Sequence, residues 1–456
     1  MAELIRDKGR PPRVLPPGPA VPAIVQSLRL LRSPYGFLAA CTDRYGEAFT
    51  LRISGFGTFV VVSGPESVRR LFTAKPDVLA AGQARSMLEP IFGRRSLLVM
   101  DGPLAGWQRR FLMPHFRGEE NLMRARRASM AAARRDIRSW PRESGFPLYP
   151  RFESMTMDVI IECFLGLDVE QDRATRLKKL LLDFMHAAHA SAVFHVPALI
   201  GRVDIGPWRR YRRLREEVDD ALADETAARR VAPAHTTGDI LGLLRRARRD
   251  EPIDQEETRD IVIAVIGAGH ETVSIALAWA IRFILAHPLV EERVRAELEQ
   301  ATGGDELEER HLRQLTYLDA VIAESMRLAP LNPLIPRMVK RPVEIAGYVV
   351  PPGVHVAVNS LSLHRDPAAF PGPCAFRPER FLDAQAGRFA WVPFGEGARK
   401  CIGASFAEHE MKAILAVIMR EFPLELLCEG GQGVVTIGDM AAPKGGTRVC
   451  RRRKDG

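Results

Sequence analysis

Phe394-Gly395-Glu396-Gly397-Ala398-Arg399-Lys400-Cys401-Ile402-Gly403 sets a cysteine behind a glycine-rich loop. A helix is predicted to follow at once, from about Gly403 to Arg420. Free N–H groups at a helix N-terminus, and its positive dipole end, stabilise a thiolate. Glycines let the backbone come close to the sulfur and to any flat group bound to it. Arg399 adds a nearby cation. Two phosphate-binding readings fail on the same residues. A P-loop needs Gly before its Lys and Ser or Thr after, whereas Lys400 follows Arg399 and precedes Cys401. A dinucleotide fingerprint beginning at Gly395 and Gly397 meets Lys400 where its third glycine belongs.

Working outward, a long apolar helix is predicted from Asp260 to Ala286, stopped by His287-Pro288. The part from Ile261 to Ile281 is long enough to span a membrane. His270, Glu271 and Thr272 sit at its centre, however, and polar residues there are costly in lipid, so the expectation is a helix buried in protein. Ala268 and Gly269 carry little side chain, so a planar ring can lie against their face. An acid and a hydroxyl deep in an apolar helix are expensive unless satisfied or used. A threonine hydroxyl can also replace a backbone partner and open the helical ladder locally.

Composition bounds the rest. The chain has 456 residues, 46% hydrophobic and 27% charged, which is ordinary for a globular protein and excludes general disorder. Its net charge of +9 suits an acidic partner or surface. Cysteines stand at 41, 163, 374, 401, 428 and 450, and no pair has CxxC spacing, which excludes a zinc ribbon or a thioredoxin-type site. Reduced thiols in a cytoplasm are the default for so sparse a set. Asp183, His186 and His189 share a helix face and mimic a metal site, but no fourth ligand stands at motif spacing.

Residues 1–20 read as a Pro-rich lead without a secretory h-region. Residues 47–63 alternate and read as a hairpin turning near Gly55–Gly57. Helical patterns dominate from about 64 to 330, including a charged helix from Arg209 to Arg230. Val343 to Val358 reads as two strands around a Pro-Pro-Gly turn. The expectation is one domain over 1–456, mainly α with small β-sheets.

Phe394-Gly395-x-Gly397-x-Arg399-x-Cys401-x-Gly403 matches, position by position, the haem-binding signature of the cytochrome P450 family, and the chain resembles that family over nearly its whole length. Ala268-Gly269-His270-Glu271-Thr272 is similar to the family's AGx[DE]T motif, Glu324-Ser-Met-Arg327 to its ExxR motif, and Pro378-Glu379-Arg380-Phe381 to its PERF element. The resemblance implies the P450 fold, with haem b between the long central helix and the cysteine loop. It makes Cys401 the axial ligand of the haem iron, a thiolate that favours O–O cleavage. It implies Phe394, Gly395, Arg399, Gly403, Ala268 and Gly269 around the cofactor, with Arg109, Arg337 and Arg399 on the haem carboxylates. Glu271 and Thr272 would deliver protons. The position four before Arg109, commonly His or Trp in the family, is Ala105 here; Trp107 lies off that helix face.

The implied activity is a haem-thiolate monooxygenase that inserts one oxygen atom of O2 into a hydrophobic substrate. A fatty acid, terpenoid or similar compound fits a pocket drawn from residues 80–98, 183–200, 331–336 and 438–443. Electrons from NAD(P)H would come through a separate ferredoxin and ferredoxin reductase. No nucleic acid and no membrane anchor are expected, and the location is cytoplasmic. A peroxide-using or rearranging relative, or a haem sensor without turnover, would not need Glu271 and Thr272 together.

Overall fold

The computed structural model describes residues 15–190, 206–231, 239–247, 253–383, 387–427 and 433–452. Most of the Pro-rich lead, the pocket segment beyond residue 190 and Cys428 lie outside these residues. Helices that frame the site are α1 (Gly102–Arg117), α2 (Glu119–Ile137), α3 (Tyr149–Leu165), α4 (Asp172–Ala190), α5 (Gln255–Ala286), α6 (Thr316–Leu328) and α7 (Ala404–Glu421).

Helix α5 is the axle. Its 32 residues span about 48 Å at 1.5 Å each. It starts upstream of the expected Asp260, because Asp254 caps it by accepting from the Glu257 N–H at 2.8 Å. Among the described residues it is the one helix long and apolar enough to cross a membrane, and 78% of its most apolar window is buried inside the protein. Helix α2 packs on α3 and α7, α3 on α5, and α5 on α7. The α3–α5 register is pinned by Thr156, whose Oγ1 lies 2.9 Å from Ser274 Oγ and 3.1 Å from the His270 carbonyl. At Gly269 the helices come so close that a Cβ would sit 2.8 Å from Ile160 Cδ1.

A five-stranded sheet stands to one side. It contains β1 (Ala48–Ile53), β2 (Gly57–Val62), β3 (Leu79–Ala80), β4 (Leu334–Val339) and β5 (His355–Asn359), in the order β1-β2-β5-β4-β3. The β1–β2 hairpin turns at the expected place, with Gly55 and Gly57 at φ +81° and +92°. The stretch from Val343 to Val358 differs from expectation. Its hairpin turns at Ala346-Gly347 and pairs Ile345 with Tyr348. Both turn residues have positive φ, 52° and 77°, which closes a two-residue turn. Pro351-Pro352-Gly353 instead carries the chain to β5, which lies between β2 and β4 in the larger sheet.

Beneath the cysteine loop, Phe116 of α1, Phe164 of α3 and Phe406 of α7 meet at ring-centroid distances of 4.8 to 6.1 Å. They fix the start of α7, and with it Cys401, against the helical core.

Candidate active site

The Cys401 N–H donates to the Phe394 carbonyl at 2.9 Å, closing the loop on itself. Gly395 and Gly397 adopt φ +65° and +74°. A Cβ on Gly397 would lie 2.1 Å from the Phe72 carbonyl oxygen, so only glycine allows this approach. A Cβ on Gly403 would lie 3.9 Å from Cys401 Sγ and 3.4 Å from Phe116. The cysteine is accessible, yet burial pushes its thiol up. The Gly403 N–H and the charges of Arg109 and Arg85 pull the other way without overcoming that burial. The helix N-terminus and these cations thus do not offset the burial of the thiol; a metal ion bound at the sulfur would favour the thiolate.

Arg399 feels the charge of Arg109, and Arg337 feels that of Arg399. Burial lowers all three, and mutual repulsion adds to it: Arg85 and Arg399 act on Arg337, and Arg85 and Arg109 act on Arg399. Arg337 is pushed down to about 9. Arg399 Nη2 donates to the Leu97 carbonyl at 2.9 Å, and Arg337 Nη1 to the Pro336 carbonyl at 2.9 Å. The acid they sense, Asp101, already accepts from the N–H groups of Ala81, Gly82 and Gln83. Arg85, half-buried in the segment Gln83–Leu88, is a further cation that no motif marks in the sequence. On α1, Ala105 is buried, Arg110 is exposed, and Trp107 stacks on Phe111 at 4.9 Å.

A thiol set among arginines that form no ion pair within the described residues is a donor set fitted to a metal-bearing, carboxylate-bearing planar group. Repulsive guanidinium groups held this close in a low-dielectric setting call for anionic partners. Haem, with one iron and two carboxylates, fits.

On α5, Ala268, Gly269 and Thr272 are partly accessible in an otherwise buried stretch. The two small residues serve different ends. Ala268 lies one turn before Thr272 on the same face, whereas the bare Cα of Gly269 admits Ile160 of α3; the latter departs from the expectation that both make room for a ring. Thr272 Oγ1 donates to the Ala268 carbonyl at 2.7 Å, and the helix runs on unbroken, where an opened ladder was expected. His270 is a core residue: buried, held down at about 4 by burial, with Nδ1 3.3 Å from the Ile266 carbonyl.

Glu271 is buried and turned toward α4. Its Oε1 lies 3.1 Å from His189 Nδ1. Burial, then the charges of Glu153 and Asp439, hold its carboxyl well above the usual range. The three residues of α4 that mimic a metal site part company: His186 pairs with Glu153 at 3.0 Å, His189 with Glu271, and Asp183 with Arg210 at 3.4 Å. No cluster fit to hold a metal ion by His, Cys, Asp and Glu occurs among the described residues.

The ExxR residues form a buried network with the PERF arginine. Arg327 uses its whole guanidinium on Glu324 and on the carbonyls of His364, Pro373 and Ala375, while Arg380 donates to Glu324.

A mainly helical fold with a long buried helix, a glycine-rich cysteine loop, and Arg109 and Arg85 acting on its thiol matches the features of a haem-thiolate protein. The Cytochrome P450 family model matches residues 12–446. The chain is 32% identical to putative cytochrome P450 135B1 of Mycobacterium tuberculosis over 440 residues, which cover 95% of this chain and 91% of that one. It is 30% identical to putative cytochrome P450 138 of the same organism over 461 residues, 100% of both chains. Among solved structures, retinoic acid-bound cyanobacterial CYP120A1 matches with a TM-score of 0.83 and 26% identity, over 97% of this chain and 100% of that one. The cytochrome P450DA heme domain matches with the same TM-score of 0.83 at 22% identity, over 97% and 98% of the two chains. This chain belongs to the cytochrome P450 family and is a P450 monooxygenase, using haem, O2 and electrons from redox partners.

Proposed function

We propose that the chain is a haem b monooxygenase of hydrophobic substrates, fatty acids, terpenoids or similar compounds, with Cys401 as the iron ligand. The carrying observation is Cys401 on its glycine-rich loop, with Arg109 and Arg85 acting on its thiol. When bound through that thiolate, the haem supplies the oxidising chemistry that transfers one oxygen atom. The protein's residues do the rest. Arg109, Arg337 and Arg399 bind the two carboxylates, with Arg85 as a fourth cation, and fix the ring's orientation. Phe394, Gly395 and Gly403 shape the thiolate side, and Ala268 clears the opposite side. Gly269 lets α5 seat against α3, which sets the height of Thr272.

Thr272 holds a hydroxyl proton at Oγ1, lent to the Ala268 carbonyl, on a partly accessible face of α5. Burial disfavours the Glu271 carboxylate and so favours its protonated form. Together they hold a hydroxyl and an acid ready for the protons that O2 reduction consumes. The whole 1–456 chain acts as one domain in this reading. Ferredoxin and its reductase, drawing on NAD(P)H, are the electron source, and the net charge of +9 favours an acidic donor. The cytoplasm is the compartment, in keeping with the free cysteines among the described residues.

An apolar substrate is supported by the character of segments 80–98, 331–336 and 438–443, and by a structural relative bound to retinoic acid, an isoprenoid acid. A panel of fatty acids and terpenoids, screened for the spin-state change that follows loss of the iron-bound water, tests the class. Shifts with apolar members at micromolar concentration support it; shifts confined to small polar compounds overturn it.

A further inference from the structure

Two carboxyl–imidazole pairs lie side by side where α3, α4 and α5 meet. The inner pair is Glu271 with His189, Oε1 to Nδ1 3.1 Å, with the carboxyl side chain 6% exposed and the imidazole 17%. The outer pair is Glu153 with His186, Oε1 to Nε2 3.0 Å; Glu153 is as buried as Glu271, whereas the His186 side chain is 54% exposed. Tyr149, one turn before Glu153 on α3, lies near enough to both glutamates to sense their charge. Burying two acids and two histidines in an apolar helix junction is expensive unless they are paired. Pairing accounts for their tolerance, but not for a line of them that begins at solvent and ends one residue from Thr272.

The pairs differ in charge. His189 is held down at about 4, chiefly by burial and then by His270 and His186, while Glu271 is held up. Both shifts favour a neutral inner pair, in which the Glu271 O–H donates to His189 Nδ1. In the outer pair, Glu153 raises His186 and favours imidazolium, whose Nε2–H donates to the carboxylate. A proton is thus stored at the inner carboxyl, and its replacement waits at the outer imidazole.

We propose that His186, Glu153, Tyr149 and Glu271 form the proton supply line of the monooxygenase, with His189 as the positioning residue that holds the Glu271 carboxyl. The inference rests on the reading of Glu271 as the acid beside Thr272. The balance is simple. Glu271 gives its proton toward the cavity and becomes a carboxylate. Tyr149 passes its hydroxyl proton to that carboxylate and receives one from Glu153, which has taken the imidazolium proton of His186. His186 regains a proton from water. One proton crosses, and every group returns to its starting form.

The test uses the haem-loaded enzyme and two readouts. Infrared spectroscopy should show a protonated-carboxyl band at pH 7 that moves in D2O, is absent in Glu271→Gln, and shifts to higher frequency in His189→Phe, where the acceptor is lost. Product per NADPH should fall severalfold in Glu271→Gln, where the acid is lost, and also fall in His189→Phe and Tyr149→Phe, with a larger solvent isotope effect in the tyrosine variant. A parent without the band, or a band unmoved in His189→Phe, overturns the pairing. Full coupling in His189→Phe and Tyr149→Phe, with coupling lost in Glu271→Gln, overturns the supply line and leaves the function of Glu271 standing. Full coupling in all three overturns the role of Glu271 itself.

Discussion

Arg380 reaches Glu324 across 56 residues of sequence, its Nε donating to Oε1 at 3.0 Å. The same oxygen accepts from Arg327 Nη2 at 2.8 Å and from the Arg377 N–H at 2.8 Å. Glu324 and Arg327 are both fully buried. This carboxylate ties α6 to the loop that leads to Cys401. Removing it leaves the Arg327 charge buried and uncompensated. Glu324→Ala should cost roughly 3–5 kcal/mol. Urea unfolding of holoprotein reads that loss, together with haem release at lower urea than in the parent. Arg327→Lys should fare little better, because an ammonium cannot span Glu324 and three carbonyls. A parent-like unfolding midpoint for either variant would contradict the network's importance.

Arg109 and Trp107 lie on different sides of α1, and only the arginine senses the thiol. A charge-assisted contact to a haem carboxylate is worth roughly 1.5–3 kcal/mol. Arg109→Ala should therefore release haem to an apo-globin acceptor faster than Trp107→Phe does, by roughly tenfold or more at that energy. Arg110→Ala, at an exposed position, should resemble the parent. Equal rates for Arg109→Ala and Trp107→Phe would place the tryptophan in the site.

Thr272→Ala should bind substrate like the parent and waste electrons. Its hydroxyl is proposed to serve oxygen, so the substrate-induced spin-state titration should be unchanged. Product per NADPH should drop while hydrogen peroxide rises. Unaltered product yield would remove Thr272 from the mechanism.

How far these residues were legible in the chain depends on distance along it. The cysteine loop is contiguous, so its turn glycines, its cation and its cysteine are read together. The long apolar helix was equally plain, though its start was not: apolarity begins near Asp260, while the cap that starts the helix is Asp254. The Ala346-Gly347 turn was missed because Pro-Pro-Gly nearby carried the stronger turn signal. Arg85 has no motif and gains meaning only when folding sets it among Arg337 and Arg399. His189 looked like one member of a local histidine–aspartate face. Its partner Glu271 lies on another helix, and no periodicity within either helix reports a contact between them.

Glu408 on α7, which feels Asp319 of α6, offers a pH test of how those two helices pack. Burial and then Asp319 raise its carboxyl from 4.5 to about 7, against the pull of Lys400 and Lys412. A carboxyl with a raised folded-state value binds its proton more tightly when folded. Its contribution to stability is complete below about 4.5 and is lost as pH rises through about 7. Glu408→Gln should therefore gain stability relative to the parent on going from pH 5 to pH 8.5, read from urea midpoints. A constant difference between the two proteins would show that Glu408 titrates normally.

The most direct test of the account is the ferrous–carbon monoxide spectrum of Cys401→Ser beside that of the parent. Cys374, the other cysteine found exposed, is the control, as Cys374→Ser. The parent and Cys374→Ser should show the long-wavelength band of thiolate-ligated haem, and Cys401→Ser should lose it. A thiolate-type band that persists in Cys401→Ser would contradict the assignment of Cys401 as the iron ligand.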